Sequence, residues 1–240
     1  MPYRRLPNTD TARLKAMRIA LEKGKELPPQ KLAFSPKSVI HLEKILPLFE
    51  RNIRLYRQSV VEQIKRNQDY SEVMKKARIY LTHFIRVMNM AIFRGELSAD
   101  IRTFYAISKD DSSVPSLSTE NEIVSWGRRI IEGEEFRVRK GGNPVTNPSI
   151  ALVKVRFETF LEAFSYNKIL EKKTLDFLEK NMELRREVDE IILQVWNEVE
   201  NIHKSYPELE RMRINEEYGI KYFYRKTELG KDTIRKSLTR

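Results

Sequence analysis

The chain is 240 residues long, enough for one large domain or two small ones with a buried core. Hydrophobic residues make up 40% and charged residues 33%, with eight Gly, ten Pro and no Cys; this excludes collagenous, low-complexity and disulfide-stapled classes, thiol catalysis and thiolate metal sites. The net charge of +11 sits mostly at the ends: residues 1–25 hold seven Lys/Arg against two acids, residues 221–240 hold the same, and the body between is nearly neutral.

The spacing predicts a short helix from Asn8 or Thr9 to about Lys23, with Leu14, Met17 and Leu21 as its apolar stripe and Gly24 as its stop. After the extended run LPPQKLAF, Ser35-Pro36 reads as an N-cap followed by proline at the first helical position. Val39, Leu42, Leu46, Phe49, Ile53, Tyr56 and Val60 then alternate at spacings of three and four, the seam of a long helix that Pro47 bends without ending. Asp69-Tyr70-Ser71-Glu72 has the form of a capping box, so a turn and a second helix are expected there, carrying Ala77, Leu81, Phe84, Met88 and Ala91 up to Gly95. Residues 95–118, ending KDDSSVPSLS, read as a linker. A short helix from about Ser118 to Glu132 follows, with Ile123, Trp126 and Ile130 inward and Gly133 as stop. A small β-hairpin is expected around Gly141-Gly142. Asn147-Pro148 opens another long helix with Ile150, Val153, Phe157, Phe160 and Phe164 along its seam. Asp176-Phe177-Leu178-Glu179 mirrors the first capping box, and Val188, Ile192, Val195, Val199 and Ile202 line the last helix.

Offset by 108 positions, residues 46–91 align with 154–199 without gaps; Phe49/Phe157, Glu50/Glu158, Met74/Met182 and Asn89/Asn197 are among seven identical pairs. Tyr105-Ala106-Ile107 also resembles Tyr218-Gly219-Ile220. The order of caps and stops is shared, so the expected fold is all-α. It is a single domain over 1–240, made of two pseudo-repeated helical hairpins (about 9–108 and 118–225). These pack as a four-helix bundle with short flanking helices and basic terminal tails.

Candidate chemistry is sparse. A di-iron bundle needs Glu-x-x-His on two helices, and only Glu200-Asn201-Ile202-His203 provides it; His41 and His83 are isolated, so no metal or other cofactor is expected. Asn89 and Asn197 interrupt apolar helices at matching positions. With turns near Asp69 and Asp176 they would face Glu50 and Glu158, a polar cluster able to hold a small ligand or cation. A core Asn that fixes helix register is the commoner explanation. The aromatic run Tyr218, Tyr222, Phe223, Tyr224 beside basic residues could stack on bases, although a terminal strand packed on the bundle is the commoner cause. No phosphate loop or nucleophile motif is present. The start MPYRRLPNTD lacks an apolar signal region, and no run approaches the roughly 18 apolar residues of a membrane span, so a cytoplasmic protein without a membrane partner is expected.

The strings KKARIYLTHFIRVMNMAIFRGEL, VPSLSTENEIVSWG and IILQVWNEVE resemble those of uncharacterised all-helical proteins found in Bacteroidetes genomes. That resemblance implies a helical fold over nearly the whole chain and no activity or site residues. The leading expectation for function is a non-catalytic protein acting through another protein, through self-association or as a scaffold. The alternatives are a nucleic-acid-associated protein using its basic ends, and small-molecule binding in a cleft between the repeats.

Overall fold

Thr9 opens the first helix, α1 (Asp10–Glu26), by accepting the Ala12 amide on its hydroxyl. The computed structural model describes residues 3–224. Among the described residues four further helices follow α1: α2 (Pro36–Phe93), α3 (Glu120–Arg139), α4 (Ile150–Ile202) and α5 (Glu208–Glu216). Single 3-10 stretches cover Ala99–Tyr105 and His203–Ser205. Among the described residues the only strands are β1 (Tyr3–Arg4) and β2 (Tyr222–Phe223), paired antiparallel with Tyr3 opposite Phe223 and Arg4 opposite Tyr222. The all-α class holds.

The expected hairpin turns do not form. α2 and α4 each run uninterrupted through the segments read as capping boxes, so Asp69–Glu72 and Asp176–Glu179 lie inside helices. There is no Gly or Pro between Pro47 and Gly95, nor within α4, to break either helix. A mid-helix Asp costs only about 0.7 kcal/mol against Ala, whereas a break would strand four amides and four carbonyls. The genuine capping box is at Thr119: its amide donates to Glu122 Oε2 (2.8 Å) and its hydroxyl accepts the Glu122 amide (3.2 Å). Two glycine stops also move. Gly24 and Gly133 lie inside α1 and α3. A Cβ on Gly133 would fall 2.4 Å from the Phe104 carbonyl oxygen, so this glycine permits close packing rather than ending a helix. Gly141 (φ +88°) ends α3 instead: its amide donates to Val138 O, and that of Gly142 to Arg137 O. This turn replaces the expected β-hairpin. Ser35-Pro36 and Gly95 do bound α2 as read.

The chain divides into two compact units, and their boundaries cut across the expected repeats. Unit 1 comprises Met1–Gln58 and Leu175–Arg240; unit 2 is Ser59–Thr174. Unit 1 is built from α1, the first part of α2, the last part of α4, α5 and the ribbon. Its core includes Met17, Leu42, Phe49, Val188, Val195 and Trp196. Unit 2 is built from the remainder of α2, α3 and the first part of α4, around Leu81, Phe84, Ile123, Ile130, Val153 and Phe160. Each such side chain contributes roughly 1.5–3 kcal/mol of burial. Unit 2 also buries an ion pair. The fully buried Glu134 carboxylate accepts from Arg137 Nε (2.8 Å) and Nη2 (2.9 Å), the Val145 amide (2.8 Å) and the Tyr105 hydroxyl.

Candidate anion-binding groove

The ribbon is short, but its two faces differ sharply. Side chains alternate across a strand, so Arg4 and Tyr222 point one way while Tyr3, Arg5, Lys221 and Phe223 point the other. The first pair faces the helices. Arg4 donates to Asn197 Oδ1 and lies 2.9 Å from Glu200 Oε2. The Tyr222 hydroxyl donates to Glu200 Oε1 (2.8 Å) and accepts from Asn215 Nδ2 (2.8 Å). Burial, with Glu200 adding to it, pushes this hydroxyl up to about 12, so it stays a proton donor at neutral pH.

The second set faces solvent. The Arg5 amide donates to Lys221 O (3.4 Å), which extends the ladder and sets Arg5 opposite Lys221. The outward face therefore carries an aromatic pair, Tyr3 and Phe223 with ring centroids 6.4 Å apart, next to a pair of cations. Beside it runs a groove of about 840 Å³, within the roughly 300–1,000 Å³ of ligand pockets. Its apolar lining includes Ala16, Ile19, Trp196 and Ile220; Arg5, Lys15, Lys221 and Phe223 line it too, with Glu216 as its carboxylate. Among the described residues none of these three cations forms an ion pair, and neither does Glu216. Most other basic residues near the N-terminus are spoken for. Arg13 binds Asp189, Arg18 binds Glu50, and Lys23 lies beside Glu26 and Glu217.

The residues expected to form a polar cluster have separate partners. Asn89 donates to Ser112 O (3.0 Å) and accepts from Arg102 Nε (3.0 Å), while Asn197 accepts from Arg4. Glu50 pairs with Arg18, and Glu158 is exposed on α4. The turns that would have set Asn beside Glu are absent, because α2 and α4 are continuous. Of the expected aromatic run, Tyr218 is core, Tyr222 faces inward, and Phe223 and Tyr224 are exposed. Trp196 is core, and Trp126 lies under the Arg129 guanidinium at 5.0 Å. His203 binds Asn215 and His41 binds Glu187; no group of three or more His, Asp or Glu able to hold a metal occurs among the described residues. No helix there is long and apolar enough to cross a membrane.

Sequence reasoning counted Arg5 and Lys15 only as part of a basic end and did not single out Tyr3. Tyr3-Arg4-Arg5 and Lys221-Tyr222-Phe223 each offer only three alternating residues, below the four to eight that mark a strand. Compared with known proteins, the chain matches no family model, no curated protein and no solved structure.

Proposed function

We propose that this chain is a binding protein whose unit 1 groove takes a phosphate-bearing polyanion. The observation that carries the reading is Arg5 opposite Lys221, with Lys15 on the same groove and no carboxylate paired to any of them among the described residues. Like charges directly opposite in a ribbon destabilise it. An anion lying between them removes that repulsion. The two basic ends of the sequence, far apart in the chain, also meet here through β1 and β2. This favours the electrostatic alternative over a scaffold that acts through apolar contact.

The test is a titration of the full chain with linear inorganic polyphosphate across a sodium chloride series. Affinity is expected to fall linearly in log–log form with salt, as counterion release requires. The charge reversals Arg5→Glu, Lys15→Glu and Lys221→Glu, combined, flatten that slope. Residues 226–240 lie outside the described residues and are also basic, so a chain ending at Arg225 is the necessary control. It must keep the part of the slope that the three reversals remove. Unchanged salt dependence in the triple variant would refute the groove.

We also infer that the two halves of the chain, about 9–108 and 118–225, arose by duplication at the 108-residue offset, each unit combining parts of both. α1 then corresponds to α3 and α2 to α4, each short helix preceding a long one. Ala106 (φ +56°) and Gly219 (φ +85°) are both left-handed, each between a buried Tyr and a buried Ile. Both Ile amides reach back five residues, to Arg102 O and Asn215 O. On this reading the units diverged. Unit 2 holds its Tyr105 hydroxyl on the Glu134–Arg137 pair, and unit 1 carries the ribbon and groove.

A further inference from the structure

Resting on the groove reading, we propose that the polyanion is single-stranded nucleic acid, with a base stacked on the Tyr3–Phe223 pair while its phosphates lie on Arg5, Lys15 and Lys221. The geometry separates this ligand from a bare polyphosphate. The outward face of the ribbon presents aromatic and cationic side chains side by side, in cross-strand register. Tyr3 is 43% and Phe223 44% exposed, far from the burial expected of rings that serve only the core. Phe223 lines the groove that holds the cations, projecting from the same side of β2 as Lys221, and Tyr3 packs beside its ring. Single-strand binders combine these two elements: a basic track for the backbone and an aromatic surface that accepts any base. A duplex keeps its bases stacked inward and cannot offer a free π-face to the pair. The neighbouring charges serve both parts, since each base in a strand brings one phosphate with it.

The experiment measures fluorescence anisotropy of a labelled oligothymidylate with the full chain. Unlabelled oligothymidylate, an abasic deoxyribose-phosphate strand of equal length, duplex DNA and inorganic polyphosphate serve as competitors. Oligothymidylate is expected to compete best. Phe223→Leu keeps an apolar strand residue but removes the ring, and weakens oligothymidylate roughly 5- to 30-fold while leaving polyphosphate unchanged. Phe223→Trp restores the affinity, which a folding defect at the ribbon would not allow. Equal competition by the abasic strand, or insensitivity to Phe223→Leu, overturns the stacking inference and leaves the anion groove standing. If Arg5→Glu with Lys221→Glu affects neither oligothymidylate nor polyphosphate, the groove itself fails. Preference for duplex would assign the surface to a different nucleic acid and likewise overturn the proposal.

Discussion

Replacing both members of the buried Glu134–Arg137 pair in unit 2 should cost well under the sum of the two single replacements. In Arg137→Met, Glu134 stays fully buried with only the Tyr105 hydroxyl and the Val145 amide as donors. Breaking a buried pair on one side costs about 3–5 kcal/mol. Glu134→Met is at least as severe. It leaves Arg137, 3% exposed, with only the neutral Asn143 carbonyl and Tyr105 hydroxyl oxygens as acceptors, and it strands the Tyr105 and Val145 donors at about 1–3 kcal/mol each. In the double variant Glu134→Met/Arg137→Met no charge remains to be buried. Its cost reduces to the stranded polar groups, and adding Tyr105→Phe lowers it again. The double should therefore cost at least about 3 kcal/mol less than the sum of the singles. The chain has two tryptophans, Trp126 on α3 and Trp196 in unit 1, so urea unfolding in a Trp196→Phe background reports unit 2 through Trp126 fluorescence. Additivity within about 0.5 kcal/mol would refute the coupling. The pH dependence gives an independent check. Burial pushes the Glu134 carboxyl up, but hydrogen bonds from Arg137, Tyr105 and Val145 together outweigh it and hold the group below the usual 4.5. A carboxyl depressed on folding adds stability that is complete above 4.5 and is lost as pH falls through the depressed value. In Arg137→Met the main depressing partner is gone and burial raises the carboxyl. Glu134 then favours folding below its unfolded value, and its contribution is lost as pH rises.

Two further outcomes test packing and backbone. Gly127→Ala would gain about 1 kcal/mol in an exposed helix. Here the added Cβ lies 2.1 Å from Cε2 of the buried Phe157 ring, so thermal melting should show a net loss of about 1–3 kcal/mol; a rise in melting temperature would contradict that contact. Ala106→Gly should stabilise by about 0.5–1 kcal/mol: it relieves a left-handed alanine, and the extra freedom of the unfolded chain offsets only part of that gain. Gly219→Ala should cost about 1 kcal/mol from strain alone, because its nearest neighbour, Ile19 Cβ, is 3.4 Å away and leaves room for a methyl. Effects of the same sign in both variants would break the equivalence of the two turns.

Helix starts were legible because capping is local chemistry. Thr9, Ser35-Pro36 and the stop at Gly95 need only a few adjacent residues. The continuity of α2 and α4 was not legible. Asp69-Tyr70-Ser71-Glu72 carries the residue types of a capping box, and only the absence of a breaker on either side argues against a turn. The lack of Gly or Pro from Leu48 to Arg94 outweighs the motif. Gly133 misled for a different reason: a glycine that ends a helix and one that admits a neighbouring carbonyl look alike until the neighbour, Phe104, is placed. The candidate site was half visible. The basic ends and the run through Phe223 stood out, but their meeting depends on a strand pairing across more than 200 residues of chain, which no local pattern encodes.

The two faces of the ribbon differ in how their cations are partnered, and the proposed binding surface rests on that difference. Where a basic side chain serves the fold in unit 1, it has an acid beside it: Arg13 has Asp189, Arg185 has Asp10 at 2.7 Å, and Arg4 has Glu200. The Arg185 hydrogen bond holds the Asp10 carboxyl below its usual range, against burial, as a pair that stabilises the folded state should. Arg4 and Arg5 are neighbours in sequence, and strand alternation sends them to opposite faces. The inward arginine meets Asn197 and Glu200, and the outward one meets Lys221. A ribbon shaped by folding alone gains from an acid at position 5 or 221, since opposite charges across a ladder contribute roughly 0.2–1 kcal/mol and like charges oppose it. The unit thus supplies carboxylates to its inward cations and leaves Arg5, Lys15 and Lys221 around the groove without one among the described residues. On the proposed reading, the partner that completes this charge pattern is an anion from outside the chain.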